Sequence, residues 1–365
     1  MPGFPLADHF PGTAGLPRVE LVDAPTPVED GSALLPSDED LSIGSLWVKR
    51  DDMTSARYGG NKVRKLELLL GEAIAEGRRA VITFGAYGSN HALATAVYAS
   101  ALGLEPHVVL SPQAPGPFAA RTLRAHAGIG TKLHVVEGWD GKRAAVEAKR
   151  ALTERDGIAP SIIPMGGTSP LGALGYVNAA LELLGQRSAP NRVYVAGGTL
   201  GTAIGLAVGF AAAGAPTKVI AVRVTPDEIA FDAFAETLAA ETIALLRSLD
   251  SGFPDLRFRD LAFELRHEWF EPGYGIVTPE TTEAVAFASA GGVKLETTYT
   301  GKAFAAMLGD ARNGKIGATE SVVFWDTYNS APMPPAGDDA LLPEVLRDYV
   351  AECDRIFGAA GDLAE

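Results

Sequence analysis

Residues 192–205 read RVYVAGGTLGTAIG, a short apolar run that passes through glycines into a helical pattern. A strand, a tight glycine loop and a helix in this order are typical of parallel sheets that are covered by helices on both faces. The same order recurs at residues 80–84, where a glycine-containing loop leads into a helix expected from about residue 90 to 102. The two junctions predict an α/β fold.

The rest of the chain extends this pattern. Residues 63–75 have the apolar spacing of a helix. Further strands are expected at residues 46–50, 107–110, 133–136, 218–222 and 321–325. Residues 1–45 are rich in Pro, Gly, Asp and Ser and indicate an irregular lead-in, whereas the stretch from about 227 to 270 is helix-like. Periodicity alone does not give a domain boundary.

Composition limits the possible functions. The 365 residues are 47% hydrophobic, enough for a substantial core, and the net charge of −14 argues against nucleic acid or an anionic membrane surface as partners. The single cysteine, Cys353, excludes an internal disulfide framework and a cysteine-based metal site, and is expected to be a semi-buried helix residue. No metal is expected. The absence of a signal-like N-terminus and of a long apolar run predicts a cytoplasmic location.

The segment Tyr58-Gly59-Gly60-Asn61-Lys62 places a lysine at the start of the helix expected from residue 63. The positive end of a helix disfavours an ammonium group, so the pKa of this lysine should fall, which suits imine formation with an aldehyde. Taken alone, the pattern fits an exposed lysine in a basic cluster at least as well.

Two other junctions have the features of anion sites. Ser89 and Asn90 begin a helix and either bind a carboxylate or act as ordinary N-caps, while the neighbouring His91 is expected to be structural. Residues 196–205 follow a strand and either hold a lone phosphate or form a tight turn. They fit neither the dinucleotide fingerprint nor a Walker A loop. An amine, a carboxylate site and a phosphate cradle are together the parts that a pyridoxal-phosphate enzyme needs.

Several motifs, in this order, resemble those of the D-cysteine desulfhydrase / 1-aminocyclopropane-1-carboxylate deaminase family. This family belongs to the fold-type II, tryptophan-synthase-β-like pyridoxal-phosphate enzymes, and the resemblance runs from about residue 46 to about 330. The motifs are Lys49-Arg50-Asp51-Asp52, Gly59-Gly60-Asn61-Lys62-x-Arg64-Lys65-Leu66-Glu67, Ser89-Asn90-His91, Gly197-Gly198-Thr199, Gly273-Tyr274-Gly275 and Tyr299-Thr300-Gly301-Lys302.

The resemblance implies a fold, a cofactor and an assembly. The expected cofactor is pyridoxal 5′-phosphate, and the expected architecture is two α/β domains with open, parallel-rich sheets flanked by helices. A large cofactor-binding domain would comprise residues 1–65 and 175–365, with residues 66–174 as a small inserted domain. The family also implies a homodimer that acts on a small amino acid.

The resemblance further assigns roles to single residues. Lys62 is expected to hold the cofactor as a Schiff base and to move the substrate α-proton, with Ser89 and Tyr274 next to the substrate and Tyr299 stacked on the pyridine ring. The other residues expected to contact the cofactor are Lys65, Asn90, Gly198, Thr199, Leu200, Gly201, Thr202 and Thr327.

Two threonines favour one activity of the family. The deaminase branch has glutamate after the stacking tyrosine and leucine near the C-terminus, whereas this chain has Thr300 and Thr327. A hydroxyl partner for the pyridine nitrogen leaves a weaker electron sink, adequate for a good β leaving group. The expected reaction is therefore α,β-elimination, with D-cysteine giving pyruvate, sulfide and ammonia. Cysteate sulfo-lyase, serine-type dehydratase and 1-aminocyclopropane-1-carboxylate deaminase activities are the alternatives.

The chain also departs from the family. It has Asp326-Thr327-Tyr328-Asn329 where His-Thr-Gly-Gly is common, and Gly88 where many relatives have glutamine. The bulk of Tyr328 is expected to reshape the pocket, which leaves open a non-catalytic homologue that binds the cofactor. An oxidoreductase with a dinucleotide at the Gly197 loop is a weaker rival, because the fingerprint is missing.

Overall fold

The computed structural model describes residues 3–36, 41–136 and 141–358. Within them the strands are β1 (Val28–Asp30), β2 (Ser45–Arg50), β3 (Ala80–Ala86), β4 (Glu105–Ser111), β5 (Lys132–Val135), β6 (Ser161–Ile162), β7 (Arg192–Gly197), β8 (Lys218–Arg223), β9 (Phe263–Arg266) and β10 (Ser321–Asp326). The helices are α1 (Pro5–His9), α2 (Lys62–Ala75), α3 (Asn90–Ala101), α4 (Pro117–Ile129), α5 (Gly141–Asp156), α6 (Pro170–Gln186), α7 (Gly201–Ala212), α8 (Asp232–Leu249), α9 (Pro279–Ala290), α10 (Thr300–Arg312) and α11 (Glu344–Phe357). None of the helices described is long and apolar enough to cross a membrane.

The strands form two sheets. The larger has the order β1-β2-β10-β7-β8-β9, with β1 antiparallel to β2 and the remaining neighbours parallel. The smaller has the order β5-β4-β3-β6 and is parallel throughout. Every strand expected from the sequence is present, and the α/β prediction is confirmed.

Apolar residues bury both faces of the larger sheet. Along β7, Val193 and Val195 belong to the cluster that includes α6, α7 and α8, whereas Tyr194 belongs to the cluster that includes α9 and α10. Alternate residues of one strand thus serve opposite faces. This arrangement leaves the carboxyl ends of β7 and β10 as the places where loops can form a site.

Contacts divide the chain into two units. The first holds Thr168–Ala331 and most of the chain before Leu69. The second holds Leu69–Gly167 and the segment from Pro332 onward.

The division by contacts differs from the predicted domains mainly at the C-terminus. Helix α11 packs Leu346, Val350 and Cys353 into the same cluster as Tyr87 and Leu110, so it belongs to the smaller unit. The three residues share one helix face, which explains why the segment packs as a whole. Cys353 is a buried helix residue.

The helix-like stretch from about 227 to 270 is helical only in part. Asp232–Leu249 is α-helical and Phe258–Asp260 is a short 3-10 helix, whereas Phe263–Arg266 forms the edge strand β9 of the larger sheet. Its register opposite β8 pairs Val219 with Phe263 and Ala221 with Leu265. The strand is four residues long, and it is specified by this pairing rather than by its own pattern.

Candidate active site

Lys62 is the first residue of α2 and follows two glycines that the backbone requires. A Cβ at Gly59 would lie 2.0 Å from the Asp52 carbonyl oxygen, and Gly60 has a φ of +92° that disfavours other residues. The Lys62 Nζ donates a hydrogen bond to the Asn61 Oδ1 at 2.7 Å. The predicted junction is therefore present, and it holds the amine in a defined position.

Burial lowers the pKa of Lys62 to about 8, while the charge of Glu296 acts in the opposite direction. The sequence attributed a lowered pKa to the helix N-terminus, whereas the structure assigns it first to desolvation. A lysine with such a pKa carries a substantial neutral fraction slightly above neutral pH, and the neutral amine is the form that attacks an aldehyde.

The loop between β7 and α7 forms a cradle next to this lysine. A Cβ at Gly201 would lie 2.7 Å from the Thr168 Oγ1 and 2.9 Å from the Lys65 Nζ, so the Lys65 ammonium lies at the first turn of α7. Leu200 precedes the helix with a left-handed φ of 59°. The Gly201 N–H donates to the Thr199 carbonyl oxygen at 2.8 Å, and the N-terminus of α7 carries partial positive charge, so the turn combines a helix N-terminus with a cation.

Three side-chain contacts hold the cradle together. The hydroxyls of Thr168 and Thr199 are 2.6 Å apart, and Thr225 donates to the Gly198 carbonyl oxygen at 2.7 Å. The Asn61 Nδ2 donates to the Thr202 Oγ1 at 3.0 Å. Asn61 thus connects the amine of Lys62 to the first turn of α7.

Lys65 is buried, and desolvation, followed by the charge of Lys62, holds its pKa well below the usual lysine range. An anion bound at the Gly201 turn would offset both effects, because opposite charge favours the ammonium form. A small, doubly charged group such as a phosphate fits this turn, and a side chain at position 201 would block it.

Two tyrosines and a glutamate form another side of the site. The ring of Tyr299 lies beside the cradle, where a Cβ at Gly198 would be 3.5 Å from one of its carbons. Its hydroxyl is 2.7 Å from that of Tyr274. The Thr300 hydroxyl is 3.2 Å from the Glu296 Oε1, so it is bound within its own loop.

The end of β10 brings Thr327 to the same region, since its carbonyl oxygen accepts the Asn61 N–H at 3.3 Å. The side chain of Thr327 is half-buried, and within the described residues its hydroxyl makes no hydrogen bond.

The two neighbours of Thr327 lie at the same end of β10. Asp326 is fully buried, and desolvation followed by the nearby Asp52 charge holds its pKa well above the usual carboxyl range. Tyr328 turns its backbone toward the lysine loop, because a Cβ at Gly60 would lie 2.7 Å from the Tyr328 carbonyl oxygen.

The Ser89 junction lies in the second unit. The Ser89 Oγ caps α3 by accepting the Ala92 N–H at 3.2 Å, and Asn90 is the first helical residue. His91 is buried, with its Nε2 2.8 Å from the Thr83 Oγ1, as expected of a structural histidine. The capping interpretation describes this geometry, and the roles of Ser89 and Asn90 toward a ligand stay predictions.

The structure brings together in the first unit Lys62, Lys65, Gly198, Thr199, Leu200, Gly201, Thr202, Tyr274, Tyr299 and Thr327. Sequence reasoning missed Asn61, Thr168 and Glu296. Asn61 could have been found from its place directly before the lysine, but no local signal marks Thr168 or Glu296.

Comparisons with known proteins cover most of the chain. Residues 19–327 match the family model described as pyridoxal-phosphate dependent enzyme. The D-cysteine desulfhydrases of Salmonella schwarzengrund and Salmonella newport are each 35% identical to the chain over 302 residues, covering 80% of it and 88% of the relative.

Solved structures show the same fold. The crystal structure of an ACC deaminase homologue has a TM-score of 0.74 and 28% identity, and the match covers 94% of this chain and 98% of that one. Threonine deaminase isoform 2 from Solanum lycopersicum has a TM-score of 0.59 and 18% identity, covering 96% and 88%.

Proposed function

The chain belongs to the pyridoxal-phosphate-dependent enzyme family, and we propose that it is a lyase that carries out α,β-elimination on D-cysteine. The products would be pyruvate, sulfide and ammonia. The curated relatives named D-cysteine desulfhydrase support the substrate, and the cradle next to Lys62 supports the cofactor.

We assign the cofactor contacts as follows. Lys62 holds the cofactor covalently, and Lys65 neutralises its phosphate. The phosphate lies in the cradle between β7 and α7, which is formed by Gly198, Thr199, Leu200, Gly201 and Thr202. Tyr299 stacks on the ring, Thr327 offers its free hydroxyl to the pyridine nitrogen, and Asn90 contacts the ring hydroxyl. The observation that carries this assignment is the position of the Lys65 Nζ, 2.9 Å from the place of a Cβ at Gly201.

Pyridoxal phosphate, when bound, supplies an electron sink for the electron pair that is released at the substrate α-carbon. Lys62 takes the α-proton, because burial has lowered its pKa to about 8 and a neutral amine is available as a base. Asn61 holds the Nζ in place through its Oδ1. Ser89 binds the substrate carboxylate or assists proton transfer, and Tyr274 faces the substrate.

The polar groups next to the pyridine ring of the cofactor favour α,β-elimination over opening of the cyclopropane ring of 1-aminocyclopropane-1-carboxylate. The deaminase glutamate is replaced by Thr300, whose hydroxyl is bound to Glu296, and the hydroxyl of Thr327 remains for the pyridine nitrogen. A neutral hydroxyl leaves the ring a weaker electron sink, which is adequate when the β substituent is a good leaving group such as sulfide.

The ACC deaminase homologue favours a second candidate, 1-aminocyclopropane-1-carboxylate deamination, since its fold covers nearly the whole chain. A substrate panel separates the two. Purified protein is given D- and L-cysteine, D- and L-serine, cysteate and 1-aminocyclopropane-1-carboxylate, and keto acid, sulfide and sulfite are measured. D-Cysteine is expected to give the highest kcat/KM. If 1-aminocyclopropane-1-carboxylate were best, the argument from Thr300 and Thr327 would be wrong.

Cofactor attachment is tested independently of turnover. Borohydride reduction of the loaded protein should leave a stable adduct on the Lys62 peptide, and Lys62→Ala should leave none. A protein that stays colourless after pyridoxal phosphate is added would contradict the proposal. Cofactor attachment without keto acid from any member of the panel would instead favour a non-catalytic homologue.

The assembly and location of the protein are also proposals. The family resemblance supports a homodimer in the cytoplasm with a small amino acid as its only substrate class. Light scattering of the loaded protein checks the assembly, since a dimer should have twice the 38.1 kDa mass of the chain. Fractionation of the source cells checks the location.

A further inference from the structure

The loop before α10 is folded around the side chain of Glu296. Its Oε1 accepts the backbone N–H groups of Tyr299 at 2.8 Å and Thr300 at 2.7 Å, and its Oε2 accepts the Thr298 N–H at 2.7 Å. The Thr300 hydroxyl is a fourth contact, 3.2 Å from the Oε1. The N–H groups that an isolated helix would leave without partners are therefore bound by the chain itself.

The main chain of Glu296 closes the same loop. Its carbonyl oxygen accepts the Gly301 N–H at 2.7 Å, and a Cβ at Gly301 would lie 2.8 Å from that oxygen. Burial raises the pKa of Glu296, and the four donors around the carboxyl group act in the opposite direction by favouring its ionised form. One side chain and one carbonyl oxygen thus define the path of residues 296–301.

The path of this loop determines the position of Tyr299. Tyr299 has a φ of −120° and a ψ of −73°, outside the usual helical and strand regions, and its N–H is one of those held by Glu296. In this conformation its ring lies beside Gly198, and its hydroxyl meets Tyr274. The position of the ring beside the cradle therefore depends on the backbone of the residue that directly precedes α10.

Glu296 also acts on the amine. Its negative charge opposes the effect of burial on the pKa of Lys62, so it favours the ammonium form of that lysine. The same carboxylate therefore influences both Lys62, which is proposed to hold the cofactor covalently, and Tyr299, which is proposed to stack on its ring.

We propose that Glu296 is a positioning residue for the cofactor. It acts by fixing the backbone of Tyr299, so that the Tyr299 ring lies beside Gly198 in the cradle. The proposal rests on the proposed function, because it takes the Tyr299 ring to be the surface on which the cofactor stacks. Glu296 itself need not touch the cofactor or the substrate.

A double-mutant cycle on cofactor affinity tests the proposal. In Glu296→Gln the amide can accept at only one atom, and its NH₂ group faces a backbone donor, so the loop should shift. The dissociation constant of pyridoxal phosphate, measured by titrating the apoprotein, should rise about tenfold, as expected from the loss of one or two charge-assisted hydrogen bonds. In a Tyr299→Ala background the same substitution should change it by less than about twofold, because the residue through which it acts is gone.

A second readout and a control separate positioning from general destabilisation. The visible circular dichroism of bound cofactor should be reduced in Glu296→Gln, because the ring asymmetry depends on stacking. Glu241→Gln, an exposed change on α8, should alter neither quantity. If Glu296→Gln fails to fold, Glu296→Asp, which withdraws a carboxylate by one methylene, takes its place in the cycle.

The outcomes are distinct. Equal effects of the Glu296 change in both Tyr299 backgrounds, or no effect in the unaltered chain, would overturn the inference alone. Failure of the unaltered chain to bind pyridoxal phosphate would overturn the proposed function, and with it the basis of the inference.

Discussion

The buried ion network behind the lysine turn makes a strong prediction about stability. Arg64, two residues after Lys62, donates to both oxygens of Asp51 at 2.8 and 2.9 Å and to both oxygens of Glu182 at 2.8 and 3.0 Å. Lys49 donates to the same Glu182 at 2.6 Å. All four side chains are almost completely buried, and their two positive and two negative charges balance.

Arg64→Met keeps the bulk of the side chain and removes one positive charge. Two buried carboxylates then share the single charge of Lys49, which leaves one uncompensated negative charge in the core. Breaking a buried pair on one side costs about 3–5 kcal/mol, and Arg64 serves two carboxylates, so the loss of unfolding free energy at pH 7 should be about 4 kcal/mol. Arg247→Met, an exposed change on α8, should cost less than about 1 kcal/mol.

The loss should depend on pH in a defined direction. For Asp51 and Glu182, burial acts to raise the pKa, but the charge and hydrogen bonds of Arg64 overcome it, so both values lie below the usual range. A carboxyl group whose pKa is lowered by folding contributes stability above its unfolded pKa of about 4, and that contribution is lost as the pH falls through the folded pKa. Without Arg64, burial is opposed mainly by the single charge of Lys49, so the pKa values of the two carboxyls rise and protonation becomes easier as the pH falls. The variant should therefore lose less stability relative to the parent at pH 4.5 than at pH 7.

Urea unfolding at the two pH values measures this difference. Trp325 donates its Nε1–H to Asp51 at 2.8 Å, so its fluorescence reports on the network, and far-UV circular dichroism reports on the whole chain. A loss below about 1 kcal/mol at pH 7, or the same loss at both pH values, would refute the reasoning.

Three further predictions concern the site. Because the pKa of Lys62 is lowered to about 8, the rate at which the apoprotein attaches pyridoxal phosphate should rise with pH and level off above about 8, and a midpoint near that of free lysine would contradict the assigned desolvation. Gly201→Val should weaken cofactor binding by at least about tenfold in an equilibrium titration, since its Cβ would displace the Lys65 Nζ; unchanged affinity would remove Lys65 from the phosphate site. Tyr274→Phe removes the hydroxyl that meets Tyr299, so kcat/KM should fall while cofactor affinity changes by less than about threefold, and the reverse pattern would argue against a role beside the substrate.

The parts of the fold that the sequence predicts are those specified locally. Long apolar strands such as Arg192–Gly197 and the glycine junction before Lys62 are recognised from consecutive residues. The strands that were missed, Val28–Asp30, Ser161–Ile162 and Phe263–Arg266, are two to four residues long and exist through pairing with a neighbour. Pairing between distant segments leaves no periodic pattern in so short a segment.

The same distinction applies to the site. Lys62 and the Gly198 turn were predicted because each belongs to a strand-loop-helix junction. The hydrogen bond from Asn61 to Thr202 joins residues 141 positions apart, and no sequence pattern indicates it. Glu296 caps a helix from four residues before its start, outside the usual capping pattern, and its importance emerges only when the N–H groups around it are located.

The charges around the two lysines explain why the site suits an anionic aldehyde in particular. Lys62 and Lys65 lie one helical turn apart, and burial disfavours the ammonium form of both. The charge of Glu296 offsets part of this effect at Lys62, whereas the charge of Lys62 adds to it at Lys65. An incoming phosphate at the Gly201 turn would therefore restore the charge of Lys65 without neutralising Lys62 directly, because the phosphate and the aldehyde lie at different places on the same molecule. The arrangement can thus hold one lysine as a cation for binding and leave the other neutral for chemistry, which a ligand bearing only one of the two groups could not achieve.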